Sequence, residues 1–155
     1  MLNPTQHTDT FSRDNLPPAS EWPDLLLENF NYPDQLNIAH ELTDTMVESG
    51  FGDHTALIGN GRRRTYKELT DWSNRLANVL LEEYKIESGN RVLIRSANNP
   101  AMVACWLAAT KVGAVVVNTM PMLRSGELSK IVNKAQIHFA LCDTRLLDEL
   151  NDCAN

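Results

Sequence analysis

Three short polar stretches carry what chemical potential this 155-residue chain has: Ser96-Ala97-Asn98-Asn99, Asn118-Thr119-Met120 and Asp143-Thr144. Each follows an apolar run. Amide and hydroxyl side chains orient ligands by hydrogen bonding, but unaided they are neither strong acids and bases nor nucleophiles. Asp143 is the one carboxylate in the three stretches, so neither paired-acid chemistry nor a Ser/His/Asp relay is suggested. His7, His40, His54 and His138 are dispersed, and Cys105, Cys142 and Cys153 lack the spacing of metal ligands. No catalytic residue and no metal ligand is assigned. The candidates for a ligand-facing role are Asn98, Asn99, Thr119 and Met120, set against the plainer reading that they only shape loops.

Phosphate cradles fare no better. Gly59-Asn60-Gly61 begins like a dinucleotide fingerprint, but Arg64 stands where the third glycine belongs, and the stretch joins two strands rather than a strand and a helix. Arg62, Arg63 and Arg64 read as a phosphate patch or, more plainly, as the solvated edge of a hairpin. A phospho-receiver domain needs acids clustered at its strand ends, and only Asp143 qualifies.

The elements that must position these residues follow from pattern. Asn37 and Gly50 bound a helical stretch with Ile38, Leu42 and Met46 on one face. Asn60-Gly61 predicts a two-residue hairpin turn between Thr55–Gly59 and Arg62–Thr65. Thr65 and Glu68 have capping-box spacing, and Leu69, Trp72, Leu76, Val79 and Leu80 form an apolar stripe behind them. Strands are predicted in 91–97, 114–118 and 138–143. Helices are predicted from Asn99-Pro100 to Lys111-Val112-Gly113, over 124–135 and from Thr144. The unbroken Ala114–Val117 run predicts a strand buried on both faces, as in a parallel sheet. The expected fold is α/β: a mostly parallel sheet in three layers, helices on both faces, preceded by a helix and a β-hairpin. Ligands of such sheets bind at the carboxyl ends of the strands, where the three polar stretches fall.

Residues 1–36 read as an extended arm, with Trp22, Phe30 and Tyr32 either pinning it or making plain surface packing, and residues 37–155 as the α/β unit. Net charge is −6, which argues against a nucleic-acid surface. No apolar run approaches the roughly 20 residues of a membrane-spanning helix. The polar first residues and the unpaired cysteine count point to the cytoplasm.

Several stretches resemble the start of the adenylate-forming acyl-CoA synthetases, the AMP-binding ligases. Thr65-Tyr66-x-Glu68-Leu69 is similar to the first core motif of that family. Lys111-x-Gly113-Ala114 through Pro121 is similar to its second. RSANNP (95–100), ACW (104–106), TMPMLR (119–124), KAQ (134–136) and ALCD (140–143) resemble the benzoate and 2-aminobenzoate-CoA ligase branch. The resemblance implies the first subdomain of the synthetase N-terminal domain. It also implies an acid–thiol ligase that uses ATP, Mg and coenzyme A: a small aromatic carboxylate is joined to AMP and then passed to coenzyme A. The family's phosphate loop, its magnesium- and ribose-holding acids and its C-terminal lysine have no counterpart here. The chain is therefore expected to be an N-terminal piece, inactive alone and partnered by the remainder of the same ligase. It is also expected to self-associate through exposed apolar surface. A non-catalytic α/β binding or regulatory module is the alternative.

Overall fold

The computed structural model describes residues 5–24 and 30–153; residues 1–4 and 25–29 of the expected arm, and the last two of the tail, lie outside that description. The arm carries a one-turn helix, α1 (Phe11–Asp14), and a 3-10 turn at Ala19–Glu21. Its anchor is not the one expected. Phe30 and Tyr32 are 57% and 59% exposed and stack on each other, while the Trp22 indole donates to Pro17 O within the arm. The attachment is made by Asp9, whose amide donates to Ser88 O at 2.9 Å, and by Phe11, whose ring lies 4.5 Å beneath the Arg91 guanidinium.

The expected helix over 37–50 is broken. Asn37 caps α2 (Ile38–Leu42) by accepting from the amides of Ala39 and His40. At Thr43 (φ −129°, ψ −67°) the backbone leaves helical geometry, and the helix restarts as α3 (Asp44–Met46). The fully buried Thr43 hydroxyl donates back to Ala39 O at 2.7 Å, a local bond that bends helices. A wide turn, Val47–Phe51, ends the segment with Gly50 at φ 86°. The bend also changes the buried face. Ala39 is 0% exposed, whereas Ile38 and Leu42, expected to face inward, are 49% and 52% exposed. Small residues let α2 approach the next layer closely, and Asn37 uses its amide group to cap the carbonyls of Thr110 and Lys111 as well.

Strands β1 (Thr55–Gly59) and β2 (Arg62–Thr65) form the hairpin, with Asn60 and Gly61 both at positive φ as a primed turn requires. Helix α4 (Tyr66–Glu82) starts on the expected capping box: Thr65 Oγ1 accepts from Glu68 N, and the Glu68 carboxylate accepts from Thr65 N. Its buried face runs through Leu69, Ser73, Ala77 and Leu80, and Val79 is turned outward.

Then β3 (Arg91–Arg95), α5 (Pro100–Lys111), β4 (Val115–Thr119), α6 (Ser125–Ala135), β5 (Phe139–Cys142) and, after a 3-10 turn at Thr144–Leu146, α7 (Leu147–Asn151) alternate. The three strands are parallel in the order β4-β3-β5. All five residues of β3 are buried, so β3 is the centre of the sheet. Val115–Val117 are half-buried on an edge strand rather than buried on both faces as expected. An apolar run reports burial of side chains, not which strand has a neighbour on each side. Gly113 (φ 76°) makes the abrupt passage from α5 to β4, where a side chain would also meet Ser88 at 2.8 Å.

The sheet is sandwiched. Val92 packs with Ala77 and Leu80 of α4 and Ala108 and Ala109 of α5. Arg91, Leu93 and Arg95 take the alternate face, where Arg91 reaches the end of α6 and Leu93 lines a hollow with Val132 and Leu150. A second cluster, Ala39, Leu69, Ala104 and Leu107, seals α2 and α4 against α5.

Candidate functional site

The carboxyl ends of β4, β3 and β5 bring the three polar stretches to one edge of the sheet. Two clefts open there around Ile94, Ser96 and Met102. The first, of about 330 Å³, lies toward β4 and is lined by Asn98, Asn118, Thr119, Met120 and Pro121. The second, of about 340 Å³, lies toward β5 and is lined by Asn99, Cys105, Leu141, Asp143 and Thr144.

The four candidates divide by role. Asn99 is committed to structure: its Oδ1 accepts from Met102 N at 2.9 Å as the N-cap of α5, and its Nδ2 donates to Ser96 Oγ at 3.2 Å. Thr119 is 7% exposed, and its hydroxyl donates to Ile94 O, tying β4 to β3. Asn98 and Met120 are exposed on the cleft rim. The four do meet at one edge of the sheet, but two hold its shape and two are exposed on its rim.

Asp143 accepts from the Arg145 side chain and from the Arg145 amide, and these bonds hold its carboxyl down to about 2. It is therefore ionised at any ordinary pH and is no proton donor. Burial pushes the Cys105 thiol up, and burial also raises that of Cys142 against the pull of Arg95. Neither is a ready nucleophile. Among the described residues no group of His, Cys, Asp and Glu could hold a metal ion.

The residue that sequence reasoning overlooked is Arg95. It is 1% exposed at the carboxyl end of the central strand. Its guanidinium donates to Met120 O (3.0 Å), Pro121 O (3.1 Å), Leu123 O (2.8 Å) and Leu146 O (3.2 Å). One side chain thus binds the loop after β4 and the turn after β5. The signal was present in RVLIR, an apolar strand with arginine at both ends, and both arginines fall on one face of the sheet.

The AMP-binding enzyme family matches residues 46–155, from the end of α3 through α7. The chain belongs to the AMP-binding enzyme family. Among its relatives is a 3-hydroxybenzoate–CoA ligase of Aromatoleum sp. (strain CIB), 35% identical over 82 residues, covering 53% of this chain and 16% of the relative. An acetyl-coenzyme A synthetase of Streptomyces avermitilis is 33% identical over 116 residues, covering 71% of this chain and 16% of that protein. The structure of the anthranilate CoA ligase AuaEII in complex with anthranoyl-AMP superposes on 79% of this chain and 23% of its own, with a TM-score of 0.73 and 18% identity, a likeness of fold. The chain thus spans about a sixth of the length of these curated relatives.

AMP-forming ligases of this family use ATP, Mg and coenzyme A, and the cleft can be tested for them. The side chains lining the two clefts are apolar or neutral polar apart from Asp143, whose carboxylate is paired with Arg145. The nearby buried cation, Arg95, spends its donors on carbonyls. The lining of these two clefts therefore offers a triphosphate no free cationic side chain.

Proposed function

We propose that this chain is the amino-terminal part of an ATP-dependent acyl-CoA ligase that activates a small aromatic carboxylate of the benzoate or 2-aminobenzoate type. The observation that carries the reading is the family match over residues 46–155, a region that includes the cleft at the carboxyl edge of the sheet. The hydroxybenzoate-CoA ligase relative and the RSANNP and TMPMLR stretches on the cleft rim support an aromatic acid. In this reading the chain supplies a wall of the cleft through Asn98, Asn118 and Met120, while phosphate and coenzyme A are handled by the remainder of a longer ligase chain. The exposed Met122 and Leu147 are surface for that remainder to cover, and the isolated chain is expected to self-associate. A cytoplasmic setting goes with the three free cysteines.

The test has two arms. The purified 155 residues are assayed for ATP–pyrophosphate exchange with benzoate and with 2-aminobenzoate; no exchange above background is expected, and measurable exchange overturns the inactivity of the piece. The product of the longer reading frame is then assayed with the same acids and with acetate. Higher kcat/KM for the aromatic acids is expected, and preference for acetate overturns the aromatic assignment.

A further inference from the structure

The two arginines of β3 share a face but do different work. Arg91, at the amino end, is 6% exposed and bonds Asp9, Gly89 O and Ala135 O, so it secures the arm and the end of α6. Arg95, at the carboxyl end, has no carboxylate within ion-pair distance among the described residues. A buried cation without a counter-charge is costly unless its donors are satisfied. Here four carbonyl oxygens accept from the guanidinium. Those carbonyls come from two separate segments. Met120, Pro121 and Leu123 belong to the loop after β4, and Met120 and Pro121 line the first cleft. Leu146 closes the turn that begins at Asp143 and Thr144, which line the second. The strand itself adds a fifth tie, because Arg95 O accepts from Asp143 N at 2.8 Å.

We propose that Arg95 is a positioning residue of the cleft: its buried guanidinium locks the loop 120–123 and the turn 143–146 into one rigid unit, so that the two walls keep a fixed separation. A planar fork of donors can serve carbonyls in several directions at once. A lysine ammonium is a point donor and reaches fewer of them. The inference rests on the proposed function only in treating this edge as the working site; the coupling of the two walls is a property of this chain and is measured without turnover.

The experiment is amide hydrogen exchange on the 155-residue chain and on Arg95→Gln, Arg95→Lys and Arg91→Lys. In Arg95→Gln, exchange in 120–124 and in 143–147 is expected to rise together by roughly tenfold or more, while α4 and the hairpin keep their protection, since local opening is graded across a structure. Arg95→Lys is expected to fall between wild type and Arg95→Gln in both segments. Arg91→Lys is expected to loosen residues 7–11 and leave both cleft walls unchanged. Should Arg95→Gln not fold, Arg95→Lys carries the comparison alone. A rise in only one wall, a uniform rise across the whole chain, or no rise at all overturns the proposal. An inactive longer ligase with coupled walls in this assay would instead count against the functional reading and leave the positioning role standing.

Discussion

Asp9 and Arg91 meet at 2.5 Å across 82 positions of sequence, and the Arg91 side chain is only 5% exposed. The Asp9 carboxyl is held below its ordinary range by the Phe11 amide and by hydrogen bonds from Arg91 and Asn90, against the opposing effect of burial. A carboxyl whose value is lowered on folding stabilises the fold above its unfolded value and loses that contribution as pH falls through the folded one. The Asp9 carboxylate's contribution to arm attachment is therefore full at neutral pH, begins to fade only below about 4 and is lost as pH falls through the lowered folded value. Asp9→Asn should cost about 2 kcal/mol in urea unfolding at pH 7 and flatten the acid limb of the stability curve. An unchanged acid limb would mean that the arm is held by something else.

Gly59 at the hairpin and Pro100 at the start of α5 give a second, purely steric relationship. A Cβ on Gly59 would lie 2.7 Å from Pro100 Cγ and 2.9 Å from its Cδ. The ring is fixed to the backbone and cannot swing aside, so Gly59→Ala should cost roughly 1–3 kcal/mol as an overpacking change. Pro100→Ala removes the obstacle. The double variant should therefore be less destabilised than the sum of the two single variants, and additive values would show that the contact does not limit packing.

Much of this was legible because it is local. Asn60-Gly61, the Thr65/Glu68 box and Asn99-Pro100 each act within four residues, and each formed where its spacing placed it. The alternation of strands and helices likewise carried the parallel sheet. What escaped was non-local. Nothing in AVVVN distinguishes an edge strand from a central one, since the order β4-β3-β5 depends on where α5 and α6 return the chain. The break at Thr43 escaped because Ile38, Leu42 and Met46 keep helical spacing, while the buried hydroxyl that bends the helix leaves no periodic trace. The site was half-legible for the same reason. The polar stretches announced the cleft, but the acceptors of Arg95 are backbone carbonyls 25 to 51 positions away, and a carbonyl has no sequence signature.

Lys111 provides a test of how the helices are pinned. Its ammonium, 10% exposed, donates to the Asp44 carboxylate and to Asn74 Oδ1 at 2.6 Å, and so joins α3, α4 and α5. Burial alone would raise the Asp44 carboxyl, but hydrogen bonds from Lys111 and Thr43 outweigh it and the net direction is down. Removing one partner strands the other in a poorly solvated place. Lys111→Met and Asp44→Ala should each cost about 2–4 kcal/mol, and a double-mutant cycle should show coupling above about 1 kcal/mol. Additive losses would reduce the pair to two independent contacts.

Asp143 sits on the cleft lining in an ion pair with Arg145, and the state of that pair sets the charge at this edge. The Arg145 guanidinium and the Arg145 amide together hold its carboxyl to about 2. The sign follows as for Asp9: the ionised form is favoured, so the contribution is present above the ordinary carboxylate range and fades only in strong acid. Following the Asp143 side-chain carbon by NMR through an acid titration should give a midpoint of about 2, well separated from the exposed carboxyls of the chain. Arg145→Ala removes the side-chain donors but keeps the amide, so the midpoint should move up part of the way toward the usual value of about 3.9. A wild-type midpoint already at that value would mean that the exposed Arg145 side chain does not hold its place in solution. The cleft edge toward β5 would then carry a carboxylate free to meet a cation.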